Sequence, residues 1–482
     1  MDNGLQLEMN FELGINRFRN CLDNGVFSLL IETNVPALDT ELGNAVNRLL
    51  ELEKAVASVS AFPVGLAVTD KWPYPNSWNI IDFIRKLPAE RRDRHVIYLS
   101  GADTSAKDLF NTVKVCVGEG FLNVVPVSGS VRPEDSERDV RKRNYVESVN
   151  VLDSLRREPA RQVFPGCVVN PFKYTRGSSF AQYYKLIRKL NLGASFMVTQ
   201  LGWDMAKLQE LRWYLSWRGL YYPSVARLCM LTPERVEKIL RGDSPGIIIP
   251  ESFRRILESE SRFSLNQFEA AQWRRLQLHV AGCKMLGYSG VQIAGVDTPE
   301  KLNVVVRRIS SALSEFDNFQ QWLAAYREHL GQLDMSPYPY SFYVFEKLLS
   351  HPFPVQEFPK MRYSGDPVVG GWEKFGYAVR EFMFAQAHEQ APNERIAMKK
   401  MLAGCRSCSV CRLPMTMYVC PEKCPKGMAS GPCGGTRPNG DCELPGQGEC
   451  VHLKIARTAV WRNEVDMLED GCLEQSPRFE KK

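Results

Sequence analysis

The sequence predicts an α/β chain in three parts: a (β/α)8 TIM-type barrel, a helical connecting region and a small cysteine-rich metal-binding domain. Three observations lead there. Apolar, β-branched runs recur eight times and alternate with stretches of helical periodicity. The runs do not alternate with polar residues, which suits strands buried on both faces, as a parallel sheet requires. Of 14 cysteines, five are scattered through the first 400 residues and eight crowd between Cys405 and Cys450. The expected boundaries are 12–318, 319–400 and 401–482.

Strands are expected at 26–32, 64–69, 95–100, 122–128, 162–169, 195–201, 224–230 and 290–295. Helical periodicity is clear between them at 42–56, 106–117, 146–157, 180–190 and 207–217. Eight such units in about 300 residues suit a closed barrel. An open doubly wound sheet is the alternative, but its glycine-rich fingerprint is missing: Gly118-Glu119-Gly120 breaks off at Asn123 and lies on a helix end. Beyond residue 316, aromatic amphipathic stretches at 319–330, 342–349 and 372–388 flank a proline-rich segment (Pro337, Pro339, Pro352, Pro354, Pro359, Pro367). This reads as a connecting region that packs on its neighbours.

With 482 residues the chain is too long for one ordinary core. At 44% hydrophobic and 24% charged residues it is globular rather than disordered. The formal charge is only +6, and the cations are interleaved with acids, as in Arg91-Arg92-Asp93-Arg94. A nucleic-acid binder would carry a cleaner basic stripe. No stretch approaches the ~20 apolar residues of a membrane span, and Met1-Asp2-Asn3-Gly4 opens no secretory signal. The expected location is therefore the cytoplasm, where cysteines stay as thiols unless they bind metal or do redox work.

Barrel chemistry sits where strands end. Those positions hold Glu32, Thr69, Ser100, Ser128-Gly129-Ser130, Asn170, Gln200 and Gly295. Glu32 is the one carboxylate among neutral groups. At an apolar strand tip it would be desolvated, its pKa raised, and so suited to general acid work; the plainer alternative is a loop salt bridge. Gln200 offers an amide that can read a ring's donor–acceptor edge or tie off a loop. No histidine has a zinc-ligand partner at helical spacing, which argues against metal chemistry or a nucleophilic triad in the barrel.

The tail reads Cys405-Arg-Ser-Cys408-Ser-Val-Cys411, then Cys420-Pro-Glu-Lys-Cys424-Pro, then Cys433, Cys442 and Cys450. Eight sulfurs can supply two four-coordinate sites. C-x2-C-x2-C followed by Cys-Pro pairs is the local pattern of iron–sulfur ligation, and zinc ribbons also use C-x2-C pairs. Glycines around Cys433 would let backbone approach a metal or cluster closely.

On these residues the barrel resembles the methylenetetrahydrofolate reductase family, and the tail resembles the cysteine-rich C-terminal module found on or beside such reductases. In the barrel the matching pieces are Ile31-Glu32-Thr33-Asn34-Val35-Pro36, Val68-Thr69, Asn170-Pro171-Phe172, Arg188-Lys189 through Gly193-Ala194, and Val198-Thr199-Gln200. The tail matches more densely, through Cys420-Pro-x-x-Cys424-Pro-Lys-Gly to Gly431-Pro432-Cys433-Gly434-Gly435. The resemblance implies Glu32 as general acid and Gln200 as a pterin contact. It also implies a flavin (FAD or FMN) held by Thr69, Tyr98, Ser100, Gly129, Ser130 and Lys189. One departure stands out: Ser130 replaces the family's aspartate and removes a negative charge near flavin and substrate. Gln292-Ile293-Ala294-Gly295 likewise replaces a Tyr-Thr-Leu-Asn element.

The implied activity is flavin-dependent reduction of 5,10-methylenetetrahydrofolate to 5-methyltetrahydrofolate. Cys405, Cys408, Cys411, Cys420, Cys424, Cys433, Cys442 and Cys450 would hold iron–sulfur clusters or zinc, relaying electrons or docking a redox partner. A nicotinamide donor, an oligomer or a larger redox complex would be compatible. The alternatives are a flavin-free folate-binding barrel serving a methyl-transfer system, and a non-catalytic assembly subunit of a redox complex. The tail is expected to be a module separate from the barrel's active site.

Overall fold

The computed structural model describes residues 16–71, 73–132, 134–157, 163–330, 333, 335–339, 341–362, 369–386, 394–408 and 410–476. Eight parallel strands close into a barrel in sequence order: β1 Ser28–Asn34, β2 Val64–Thr69, β3 Val96–Ser100, β4 Asn123–Val127, β5 Phe164–Val169, β6 Phe196–Thr199, β7 Ser224–Cys229 and β8 Gly290–Ala294. β8 pairs with β1 and completes the ring. The expected start of the fifth strand, residue 162, lies outside the described residues.

Alternation along each strand sorts the side chains into two shells. Leu29, Ile31, Ile97, Leu99, Ala226, Leu228, Val291 and Ile293 pack outwards under the helices. Leu30, Ala67, Val96, Tyr98, Val125, Phe164, Phe196, Val198 and Val225 fill the barrel. Phe18 and Leu22 of the helix Arg17–Asp23 join this inner cluster from the N-terminal end. Phe18 meets Phe196 edge-on at 5.3 Å, and Phe164 stacks on Phe196 at 5.1 Å. These rings close the barrel's interior from below, and the strand ends frame a cavity at its C-terminal mouth.

The helices Leu42–Ala57, Ala106–Gly118, Ser148–Arg157, Arg176–Asn191 and Met205–Trp217 fall where periodicity puts them. Thr175 and Asp204 cap the last two. The crossover between β7 and β8 is long and holds Pro233–Leu240, Glu251–Phe263 and Leu265–Met285. In the connecting region Phe319–Leu330 and Gly371–Phe384 are helical, but 342–349 is not. There the backbone serves as hydrogen-bonding surface for barrel side chains: the Lys207 ammonium donates to the Phe342 carbonyl at 3.0 Å, and the Val344 amide donates to Glu210 at 2.5 Å. A helix would have consumed those groups internally. Positions 387–388 lie outside the described residues. No described helix is long and apolar enough to cross a membrane.

The tail is not a separate module, which corrects the expectation. Its residues Leu413, Met417, Met428, Leu444, Leu453 and Ala459 share one buried apolar cluster with Val140, Tyr145, Ala181 and Tyr184 of the barrel. The contact centres on the helix Arg176–Asn191, from which Lys185, Arg188 and Gln182 reach the carbonyls of Gly431, Ser430 and Cys433 at 2.8–3.0 Å. From the loop after β5, Lys173 reaches the carbonyl of Thr436 at 2.7 Å. Glu147, fully buried, accepts from the amides of Ala429 and Ser430 and from the Lys185 ammonium. Burying such long cationic side chains is tolerable only because backbone carbonyls and a carboxylate complete their shells.

Candidate functional site at the barrel mouth

A cavity of about 190 Å3 opens at the C-terminal end of the barrel. Thr69, Tyr98, Ser100, Gly129, Ser130, Lys189 and Gln200 all line it, so the residues chosen from sequence converge on one place. The tail supplies the opposite wall through Lys426, Cys433, Gly434, Gly435 and Glu443.

Glu32 does not behave as expected. β1 runs on to Asn34, so Glu32 lies within the strand, below its end. It points inwards but is not among the residues that line the cavity. Arg227 of β7 clamps it, Nε to Oε2 at 2.6 Å and Nη2 to Oε1 at 2.5 Å. Gln292 of β8 donates to Oε2 at 2.8 Å and accepts from the Tyr98 hydroxyl at 2.6 Å. Burial alone would push the Glu32 carboxyl up, but Arg227, Gln292 and Arg235 together hold it below the usual range. The expected raised pKa is therefore corrected. Glu32 is an ionised anchor for Arg227, and Arg227, Tyr98 and Gln292 face the cavity in its place.

Arg227 passes the constraint upward by donating to Gln200 Oε1 at 3.0 Å, the oxygen that also accepts the Leu201 amide. The Gln200 carbonyl is thereby fixed, and its NH2 is the end left for a ligand. At the rim, the Thr69 hydroxyl donates to Asn34 at 2.6 Å, and the Ser100 hydroxyl accepts the Ala102 amide. Lys189 donates to the Val168 carbonyl at 2.6 Å, and burial first of all lowers its pKa to about 8. Burial also raises the pKa of Tyr98, which stays a neutral hydroxyl.

The loop bearing Ser130 receives a carboxylate from the tail. Glu443 Oε1 accepts the Val131 amide at 2.8 Å, and Oε2 accepts from Lys426 at 2.8 Å and from the Cys433 thiol at 3.3 Å. Lys426 also donates to the Gly129 carbonyl at 2.7 Å. The glycines flanking Cys433 make room for side chains packed against their backbone. A Cβ on Gly431, at φ +137°, would lie 2.9 Å from the Lys185 chain, and one on Gly435 would lie 2.5 Å from Glu443 Oε2.

For a flavin the fit is incomplete. The space suits one fused ring system, being below the ~300–1,000 Å3 of sites that take a whole drug-sized ligand. The lysines that line the cavity and could meet a cofactor phosphate, Lys71, Lys185, Lys189 and Lys426, each already donate to a backbone carbonyl.

The eight cysteines divide unequally. Cys424, Cys433, Cys442 and Cys450 are near neighbours; burial first, then the other three thiols, push Cys450 well up. Burial likewise raises Cys433 to about 11 and Cys442 to about 12. Cys405 pairs with Cys420, whose hydrogen bond is the largest cause holding Cys405 down at about 6. Cys408 donates to the Val410 carbonyl at 2.9 Å. Among the described residues no three candidate ligands stand at metal-binding spacing. The donor chemistry of the first four thiols fits a tetrathiolate site, and a metal there would have to displace protons from raised thiols.

Sequence reasoning missed Arg227, Asp70, Lys426 and Glu443. Arg227 had a signal, a cation at an inward position of an otherwise apolar strand; Lys426 and Glu443 had none, because only the docked tail brings them to the barrel.

Fold and site together define a closed (β/α)8 barrel whose ligand cavity is roofed by a cysteine-rich C-terminal segment. Residues 384–475 match the family model described as methylene-tetrahydrofolate reductase C terminal, which bears out the resemblance read from the cysteine pattern. No curated protein matches the chain. Among solved structures, a Clostridium thermocellum protein described as uncharacterized and binding two copies of 5-methyl-5,6,7,8-tetrahydrofolic acid is 13% identical, with a TM-score of 0.45, covering 62% of this chain and 100% of its own. A Mycobacterium tuberculosis tryptophan synthase chain is 9% identical, with a TM-score of 0.34, covering 62% and 98%. At these scores neither likeness bears on ligand or activity.

Proposed function

We propose that the protein binds a reduced folate at the barrel mouth and acts in the reduction of 5,10-methylenetetrahydrofolate to 5-methyltetrahydrofolate. One observation carries the reading: Gln200 and the six cofactor residues chosen from sequence line a single cavity, and its roof is the segment that matches the methylenetetrahydrofolate reductase C-terminal model. The cavity accommodates one fused ring, as a pterin is, and the Gln200 NH2 is positioned to meet that ring's acceptor edge. Gln200→Ala is expected to weaken 5-methyltetrahydrofolate binding by about 1–3 kcal/mol, measured calorimetrically, with the melting temperature little changed. Unchanged affinity would remove Gln200 from the site.

In this reading Cys424, Cys433, Cys442 and Cys450 would hold a metal centre that would supply electrons, and Cys433 also lines the cavity. Cys424→Ser should then lower the metal content of anaerobically prepared protein. Metal analysis finding zinc without iron would leave the tail a structural or docking element.

A second reading is flavin-dependent reduction with flavin at Thr69, Tyr98, Ser100, Gly129, Ser130 and Lys189. It is favoured by the convergence of all six on the cavity. A visible spectrum of the same preparation separates the two: flavin bands support the second reading, and their absence together with folate binding supports the first.

A further inference from the structure

A group that opens the ring of methylenetetrahydrofolate must face the ligand, carry a proton at working pH and lack a cationic clamp. Three carboxyl groups stand around the barrel mouth. Glu32 is off the cavity wall and clamped by Arg227. Glu443 is on the wall, but its oxygens are taken by the Lys426 ammonium, the Val131 amide and the Cys433 thiol. Asp70 is different. It follows Thr69 directly at the end of β2 and lines the cavity. Its Oδ2 accepts one neutral donor, the Ser100 amide at 3.2 Å, and among the described residues Oδ1 accepts none. Its neighbour Lys71 turns its ammonium to the Ala102 carbonyl, 2.5 Å away.

We infer that Asp70 is the acid of this site, the carboxyl group that protonates the leaving ring nitrogen of bound 5,10-methylenetetrahydrofolate; the inference rests on the folate reading above. As the C–N bond breaks, its electron pair stays on nitrogen, which takes the Asp70 proton. Asp70 is left as carboxylate and the folate as the iminium cation on the other nitrogen; water at the open mouth returns the proton. Burial favours the neutral carboxyl and raises its pKa against the opposing pull of Lys71 and the Ser100 amide. The other titratable groups around it are the Cys116 thiol, kept protonated with a pKa of about 12 mainly by burial, and the cavity's Lys185, Lys189, Lys426, Arg227, Tyr98 and Glu443. Two carboxyls whose surroundings push them in opposite directions, Asp70 up and Glu32 down, divide the roles of acid and anchor.

The test uses the full chain and two measurements. Affinity for 5-methyltetrahydrofolate, whose ring is already open, needs no acid. The rate at which cyanoborohydride traps bound 5,10-methylenetetrahydrofolate as 5-methyltetrahydrofolate, above the protein-free rate, reports the iminium and needs neither flavin nor the physiological donor. Asp70→Asn is expected to keep the affinity and lose at least ~100-fold in trapping rate, with Asp70→Glu recovering part of it. The wild-type rate should fall as pH rises through the Asp70 pKa, a limb absent from Asp70→Asn. Trapping at the wild-type rate in Asp70→Asn overturns the assignment, as does loss of 5-methyltetrahydrofolate affinity that Asp70→Glu fails to restore. If Glu32→Gln alone abolishes trapping, the acid is Glu32. If the unmutated protein binds no 5-methyltetrahydrofolate, the folate reading itself fails, and this inference with it.

Discussion

Arg227→Met is expected to destabilise the protein by about 3–5 kcal/mol, because it strands the buried Glu32 carboxylate without its cation. Glu32 is 8% exposed, and Arg227 supplies two of its three hydrogen bonds. The double variant Glu32→Gln/Arg227→Met should be less damaged than Arg227→Met alone, since the second change removes the stranded charge. The pH dependence follows from the direction of the shift. In the unmutated protein the Glu32 pKa is depressed below its ordinary 4.5, so its contribution is present above that pH and is lost as pH falls through the folded value. In Arg227→Met burial is unopposed by Arg227, the pKa rises, and acidification should recover stability relative to neutral pH. Urea melts of the unmutated protein and the two variants at two pH values measure this. Equal losses in the single and double variants would mean that Arg227 acts through packing rather than charge. Gln200 should also loosen, because its carbonyl loses the Arg227 donor.

The second large effect concerns the tail. Glu147→Ala leaves the Lys185 ammonium and the amides of Ala429 and Ser430 without their shared acceptor, all of them buried. The expected cost is again about 3–5 kcal/mol, but concentrated on the docking of 426–436. Limited proteolysis should therefore cut the tail in the variant while the barrel survives, and 5-methyltetrahydrofolate binding should weaken because a cavity wall departs. Burial raises the Glu147 pKa, yet Lys185 and the two amides outweigh it and hold the group below 4.5. The docked state should accordingly persist above that pH and fail as pH drops through the depressed value. A tail that stays protected in Glu147→Ala would show that the apolar contact of Met428 and Leu453 with the barrel suffices by itself.

Periodicity explains why so much of the barrel was legible. Strands buried on both faces leave continuous apolar runs, and seven of the eight expected runs overlap the observed strands over their whole observed length. β1 is the exception, and its two extra residues decide the chemistry. Thr33 and Asn34 are polar, so the run of apolar residues stops before the strand does. Glu32 was therefore placed at the rim when it lies below it. The segment 342–349 misled for the opposite reason: its apolar spacing suits a helix, but its carbonyls and amides are claimed by Lys207 and Glu210 on the barrel.

The sequence by itself determined the barrel, its strand order, the residues ringing its mouth and the kind of tail that follows, because those features are written in local spacing and composition. Only the tertiary structure decided which carboxyl is clamped and which is free, and that the tail forms a wall of the cavity. Glu32 meets Arg227 across 195 residues, and Glu147 meets Ser430 across 283. Charge state depends on such partners and on burial, and neither is a property of the neighbouring residues in the chain.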